Sequence, residues 1–350
     1  MNKLLGILSV LVCATSMSYA QADGIVALQS SDVEMTWDGA VNDKNVIKSG
    51  FCGENVKYEL YDDYTLRIYG NGEMWMDGVF NESLVPWISE KKNIKSVVIE
   101  DGVTCIGADS FYGCCVLTEV SIPNSVKSIG YEAFRDCYAL TKVTIPNSVN
   151  HIGDVAFDGC CSLAEVNIPN GITSIGNHVF KGCDFTEITI PSNVKCIGKY
   201  AFSGCPLTKV NISNGVTSIG DYAFDGTYLE YVKIGKDVTE IGDLAFPQYH
   251  DEDLVIEFTS ETPATLYNVE SLGFLCTIYV PETALETYLN ATFWKDHADQ
   301  ILPKNYTSGI SSVVFEQSAK KTAIYDLKGH KVTELQPHGI YIVDGKKVMK

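Results

Sequence analysis

Residues 117–137 read LTEVSIPNSVKSIGYEAFRDC, and variants of this phrase recur from Val103 to Phe246. The fixed points are isoleucine–glycine pairs beginning at Ile106, Ile129, Ile152, Ile175, Ile197, Ile219 and Ile241, three steps of 23 residues followed by three of 22. Self-similarity at a constant period of this size predicts a solenoid. When the coils are aligned, the apolar residues fall into columns. Val103, Val126, Val149, Ile172, Val194, Val216 and Val238 form one, and the seven isoleucines before glycine form a second. Phe111, Phe134, Phe157, Phe180, Phe202, Phe224 and Phe246 form a third. A Val-x-Ile pair follows in each coil, Val120/Ile122 being the first, and this alternation is that of a strand with one face inward. One coil alone cannot bury these side chains, so the coils must stack, with the Val-x-Ile strands in a parallel ladder.

Two kinds of residue punctuate the coil. The glycine after each isoleucine suits a corner that needs either positive φ or a close backbone approach. Pro123, Pro146, Pro169 and Pro191 lack an amide donor where a ladder should stop.

This spacing and wording resemble the treponemal-type leucine-rich repeat of BspA-like bacterial surface proteins. The resemblance implies a curved solenoid displayed at a cell surface, with a binding or adhesion role and no catalysis.

The flanks divide the rest of the chain. Residues 1–20 have the form of a signal peptide, with Lys3, an apolar run from Leu4 to Val12 and small residues at Ser18-Tyr19-Ala20. That run is too short to span a bilayer, so the protein is expected to be exported to the surface or medium. Residues 21–93 are assigned to a linker and an N-terminal β cap. Val56, Tyr58 and Leu60 alternate there, as do Leu66 and Ile68, with Asp62-Asp63 as the turn. Residues 94–258 are the solenoid. Residues 259–304 are an α/β C-terminal cap with a helix from about Glu282, presenting Leu285, Tyr288 and Leu289 on one face. Residues 305–350 form a small β tail, with strands at Ala323–Tyr325, Ile340–Val343 and Lys346–Met349. The words AIYDLKGHKV and GIYIVDGKKVMK in that tail resemble C-terminal sorting domains of exported Bacteroidetes proteins, the type IX secretion class, and imply a route to the cell surface.

Composition narrows the function. A formal net charge of −18 offers no basic stripe for phosphate contacts, so nucleic acid is excluded as a partner. The six histidines share no repeat column and no HExxH motif, and no Gly-x-Ser-x-Gly elbow occurs. No enzyme, cofactor or metal site is expected. Cys114, Cys137, Cys160, Cys183 and Cys205 recur once per coil, which is not metal-ligand spacing. They are expected to be buried free thiols, with Cys105 and Cys196 more exposed.

Function would lie on the outward residues of the Val-x-Ile strands. One column is Glu119, Lys142, Glu165, Glu187, Lys209 and Tyr231, and the next is Ser121, Thr144, Asn167, Thr189, Asn211 and Lys233. The residues alone leave two readings open, a solvated ladder of alternating charge and a polar face that binds a protein on host matrix or another cell. A glycan-binding alternative would use Trp75, Trp87 or Tyr231, although Trp87 and Trp75 also suit a wedge closing the first coil, and no column of outward aromatics is evident.

Overall fold

The computed structural model describes residues 44–75, 85–248, 254–273 and 276–304, together with the backbone of four short strands between 324 and 349. The signal-peptide reading of residues 1–20 and the linker reading up to Asp43 lie outside the described residues.

From Lys44 onward the chain winds into a β-solenoid of about nine turns. The seven coils are present, and the ladder runs on past them at both ends. The N-terminal hairpin pairs Val56–Tyr61 with Thr65–Gly70 antiparallel, and Thr65–Gly70 then pairs parallel with Ser96–Ile99 as the first rung. Leu254–Phe258, Cys276–Val280 and Ile301–Pro303 continue the same ladder beyond Tyr231–Ile234. The segment from Glu282 is a 3-10 turn, Glu282–Ala284, followed by the short helix Leu285–Asn290. Ala284 and Tyr288 face inward, while Leu285 and Leu289 are only partly buried against the core. In the tail, Ile324–Asp326, Lys331–Val332, Ile340–Val343 and Lys346–Met349 make a four-stranded antiparallel sheet.

Each coil has three walls. The first is the Val-x-Ile strand. The second is the strand ending at the Ile-Gly isoleucine, running from Gly72–Glu73 to Thr265–Leu266. The third is the turn carrying phenylalanine, whose amide donates to the next coil, as from Phe134 to Ala156 and from Phe157 to Val179 (2.8 and 2.9 Å). Between the walls the phenylalanines stack from Phe111 to Phe246 with centroids 5.0–5.7 Å apart. The proline carbonyls start the turn into the second wall, as when Val149 N donates to Pro146 O (3.0 Å).

The Ile-Gly glycines answer the close-approach requirement. A Cβ on Gly153 would lie 2.5 Å from Tyr131 N of the previous coil. The positive φ falls two residues later and on non-glycine residues: Asp109, Glu132, Val155, His178, Tyr200, Tyr222 and Leu244. Val155 is the strained member at φ 65°, because a β-branched side chain crowds the backbone there. Val155→Asn is expected to stabilise the protein by about 1 kcal/mol. A higher urea midpoint at unchanged slope would show it, and a lower midpoint would mean that packing of the valine outweighs its strain.

The repeat cysteines are free and buried. From the second coil to the fifth, each thiol donates to the phenylalanine carbonyl of the coil before, at 3.2 Å from Cys137 to Phe111, 3.1 Å from Cys160 to Phe134, 3.3 Å from Cys183 to Phe157 and 3.1 Å from Cys205 to Phe180. Burial pushes the Cys114 and Cys205 thiols up to about 12, so they persist in the protonated form. Cys196 is exposed as expected. Cys105 is not: it is 2% exposed, because Gly72–Glu73 adds a rung over its strand and Met74 N donates to its carbonyl.

A buried tryptophan closes each end of the stack. Trp87 lies against Phe111 (5.9 Å, 14°) and edge-on to Tyr58 (5.2 Å, 71°), and its indole N–H donates to Ser110 O (2.8 Å). Trp294 meets Phe258 and Tyr288 edge-on and donates to Ala264 O (2.7 Å).

Candidate binding surface

The parallel register brings the two outward columns together as read from the sequence. Glu187 faces Lys209 and Tyr231 in turn, and Thr189 faces Asn211 and Lys233. Lys142 faces Glu165. The columns extend beyond the residues chosen from sequence, to Arg67 and Val98 at one end and to Val255, Glu257, Thr277 and Tyr279 at the other. Glu119, Ser121, Lys142, Thr144, Glu165, Asn167, Glu187, Thr189, Lys209 and Lys233 are exposed, whereas Asn211 and Tyr231 are half-buried.

Several of these side chains are already engaged. Lys142 pairs with Glu165, both well exposed, so the pair contributes at most about 1 kcal/mol. Asn167 spends its amide on the neighbouring rung, accepting from Ile145 N (2.7 Å) and donating to Ile145 O (2.6 Å). Tyr231 Oη donates to Glu257 (2.8 Å), which also pairs with Lys304 (2.7 Å). Burial, then the hydrogen bond to Glu257 and that residue's charge, raise the Tyr231 phenol to about 12. Burial alone would raise the Glu257 carboxyl, but hydrogen bonds from Lys304 and Tyr231 hold it below its ordinary value.

The face is not continuous. Its ladder is unpaired between Glu119–Ser121 and Lys142–Val143, and again between Glu165–Val166 and Glu187–Ile190. At the second gap the Ile152 and Ile175 strands of the second wall are unpaired too, so the two blocks are joined by the third wall, by Asp184 N donating to Leu163 O (3.0 Å) and by Asn177 donating to Asp154. The period shortens at this point. Cys160 is separated from Leu163 by two residues, but Cys183 from Phe185 by one. The larger Phe185 ring packs edge-on to Phe180 (5.6 Å, 76°) where the turn is shorter. Of the inward residues beside the gaps, Val120, Val166 and Ile188 are half-buried and Val143 is buried, while Val210 and Val232 on continuous rungs are fully buried. A cavity of about 440 Å³ opens across the second gap, lined by Lys142, Thr144, Glu165, Asn167, Glu187 and the apolar residues between them.

Sequence reading missed one feature. His178, Tyr200 and Tyr222 stack outward at 4.9 and 4.8 Å, with planes inclined by 23° and 3°. This corrects the expectation that the chain has no outward aromatic column. The signal lay in the positive-φ position, where histidine and two tyrosines share one column. Their facing surfaces cover one another, so they do not form an open platform for a sugar ring. Trp87 is 1% exposed and closes the first coil, which removes it from any sugar platform; Trp75 is 47% exposed. His297 is buried and bonded to Val269 O and Gln300. Among the described residues no group of three or more His, Cys, Asp or Glu side chains converges on one point.

A parallel stack of 22- and 23-residue coils with polar outward columns defines a leucine-rich repeat solenoid. The chain belongs to the family described as the BspA type leucine rich repeat region, which matches residues 89–206, 173–277 and 195–322, together about two thirds of its length. Among solved structures it is similar to a leucine-rich repeat protein from Bacteroides ovatus, with 22% identity over 67% of this chain and 70% of that one and a TM-score of 0.48. It is also similar to a leucine rich cell surface protein from Faecalibacterium prausnitzii (23%, 70% and 92%, TM-score 0.34). A third similar structure is the leucine rich repeat protein of T. pallidum (29%, 51% and 81%, TM-score 0.37). The curated proteins contain no match. No helix among the described residues is long and apolar enough to cross a membrane.

Proposed function

We propose that this protein is exported and displayed at a cell surface, where it binds proteins of host matrix or other cells without catalysis. The observation that carries this reading is the pair of exposed columns on the first wall, set by register across successive rungs. Solenoids present such extended faces to their partners. The mixed charges along Glu119, Lys142, Glu165, Glu187 and Lys209 select a ligand of mixed charge rather than a polyanion. Family membership supports an interaction role, and the leader and tail read from sequence support export. The test is adsorption of the chain from residue 21 onward to immobilised matrix proteins, before and after their enzymatic deglycosylation. Binding should survive deglycosylation and weaken by about tenfold or more with Lys209→Glu and Lys233→Glu combined. Loss of binding on deglycosylation would favour the glycan alternative and sink this one.

A further inference from the structure

We propose that the cleft between the third and fourth coils seats an extended peptide segment of the partner, one in which apolar residues alternate with lysine or arginine. This rests on the protein-binding reading above and names the chemistry recognised at one point of that face.

Three observations converge on the cleft. First, among the described strands Glu165–Val166 is paired only with Lys142–Val143, and Glu187–Ile190 only with Lys209–Ile212, so beyond the Asp184 N–Leu163 O bond (3.0 Å) two strand edges face each other without pairing. Open strand edges recruit extended chains, because main-chain hydrogen bonding needs no particular side chain. Second, the floor is apolar and half-open. Val166 and Ile188 are partly exposed here, whereas Val210 and Val232 on continuous rungs are buried. The cavity of about 440 Å³ can take aliphatic side chains pointing inward from every second residue of a bound strand. Third, the rim is acidic. Glu187 is exposed and has no ion pair among the described residues, and Glu165 shares its charge with a single lysine. The outward side chains of a seated strand would meet these carboxylates, and a basic residue there gains what an acidic one loses.

The probe is a short fluorescein-labelled peptide alternating lysine with valine, titrated with the full chain and followed by anisotropy. A peptide alternating glutamate with valine is the comparison. Saturable binding of the lysine peptide should weaken by about tenfold or more in Glu187→Lys, and likewise in Ala164→Trp, which fills the cleft without changing charge. Ala164 is exposed, and an unchanged urea midpoint confirms that this variant folds. Glu119→Lys makes the same charge change on the far side of Lys142 and should alter binding by no more than about twofold. Equal losses in Glu119→Lys and Glu187→Lys would mean diffuse attraction to an acidic protein and would overturn the proposal. So would equal binding of the glutamate peptide, or indifference to both cleft variants. Matrix adsorption of the same variants separates the two claims. If adsorption is lost with Lys209→Glu and Lys233→Glu but peptide binding ignores the cleft, the cleft assignment fails and the adhesive function stands. If no matrix protein is adsorbed while the peptide still binds through the cleft, the adhesive function fails alone.

Discussion

Phe157→Ala is expected to cost about 3–5 kcal/mol and to split the unfolding curve into two transitions. Phe157 is fully buried and stacks on Phe134 and Phe180 at 5.2 and 5.7 Å. Truncation of any spine phenylalanine leaves a cavity of similar size, so the energetic cost alone does not single this one out. Its place in the stack does. Between the third and fourth coils the strands of the first two walls are unpaired, so the third wall with its phenylalanine contact is the main coupling, beside the Asp184 N–Leu163 O bond and the Asn177–Asp154 bonds. Stability in a repeat stack is a sum of coil terms and nearest-neighbour interface terms, so weakening the poorest interface uncouples the halves. Phe202→Ala is the control. It sits where Lys209–Ile212 and Ser218–Ile219 are bonded on both sides, and its loss should lower one cooperative transition without dividing it. Urea unfolding followed by tryptophan fluorescence and by far-ultraviolet circular dichroism decides the matter. Coincident single transitions in both variants would show that the joint is as tight as the rest of the stack.

Trp87→Ala should cost a comparable amount, about 3–5 kcal/mol, but the damage should stay local. The indole fills the space between Tyr58 and Phe111, and its removal also leaves the Ser110 carbonyl without its 2.8 Å donor. Trp87→Phe keeps most of the ring and loses the donor, for about 1–3 kcal/mol. In both variants the hairpin Val56–Tyr61 and Thr65–Gly70 should lose amide-exchange protection first, because among the described residues it is tied to the stack through the first rung, the short Gly72–Glu73 rung after it and this plug. Protection in Val194–Phe246 should be unchanged. Uniform loss along the chain would refute a locally acting wedge and imply one indivisible folding unit.

The inward columns were legible because each position recurs with the same chemistry in every coil, and a parallel stack has no other way to bury them. The extra rungs were harder to see, because Leu266 follows Ile241 by 25 residues and carries no glycine after it. The positive-φ position was not legible. Aspartate, glutamate, valine, histidine, tyrosine and leucine all occupy it, and the conformation is imposed by the interlocking turn rather than by local preference. On the face, the outward direction of Glu187 or Lys209 follows from alternation alone. That Asn167 is spent on Ile145 and Tyr231 on Glu257 depends on distances between rungs that no single strand specifies. The joint is legible only afterwards. A single residue missing between Cys183 and Phe185 looks like ordinary loop variation until the wall beside it is found unpaired.

The indoles at the two ends have a consequence for how much of this protein a cell can safely hold. A stack of identical layers resembles a crystal that grows along one axis, and its terminal layers would accept another molecule as readily as their own last coil. Trp87 and Trp294 plug the apolar interior near those two ends, inside the outermost strands Val46–Phe51 and Ile301–Pro303, and each is held by an indole N–H bond to a backbone carbonyl. Losing either one would therefore expose the protein to linear fibre formation at high local concentration, a hazard quite separate from any change in what its flank can hold.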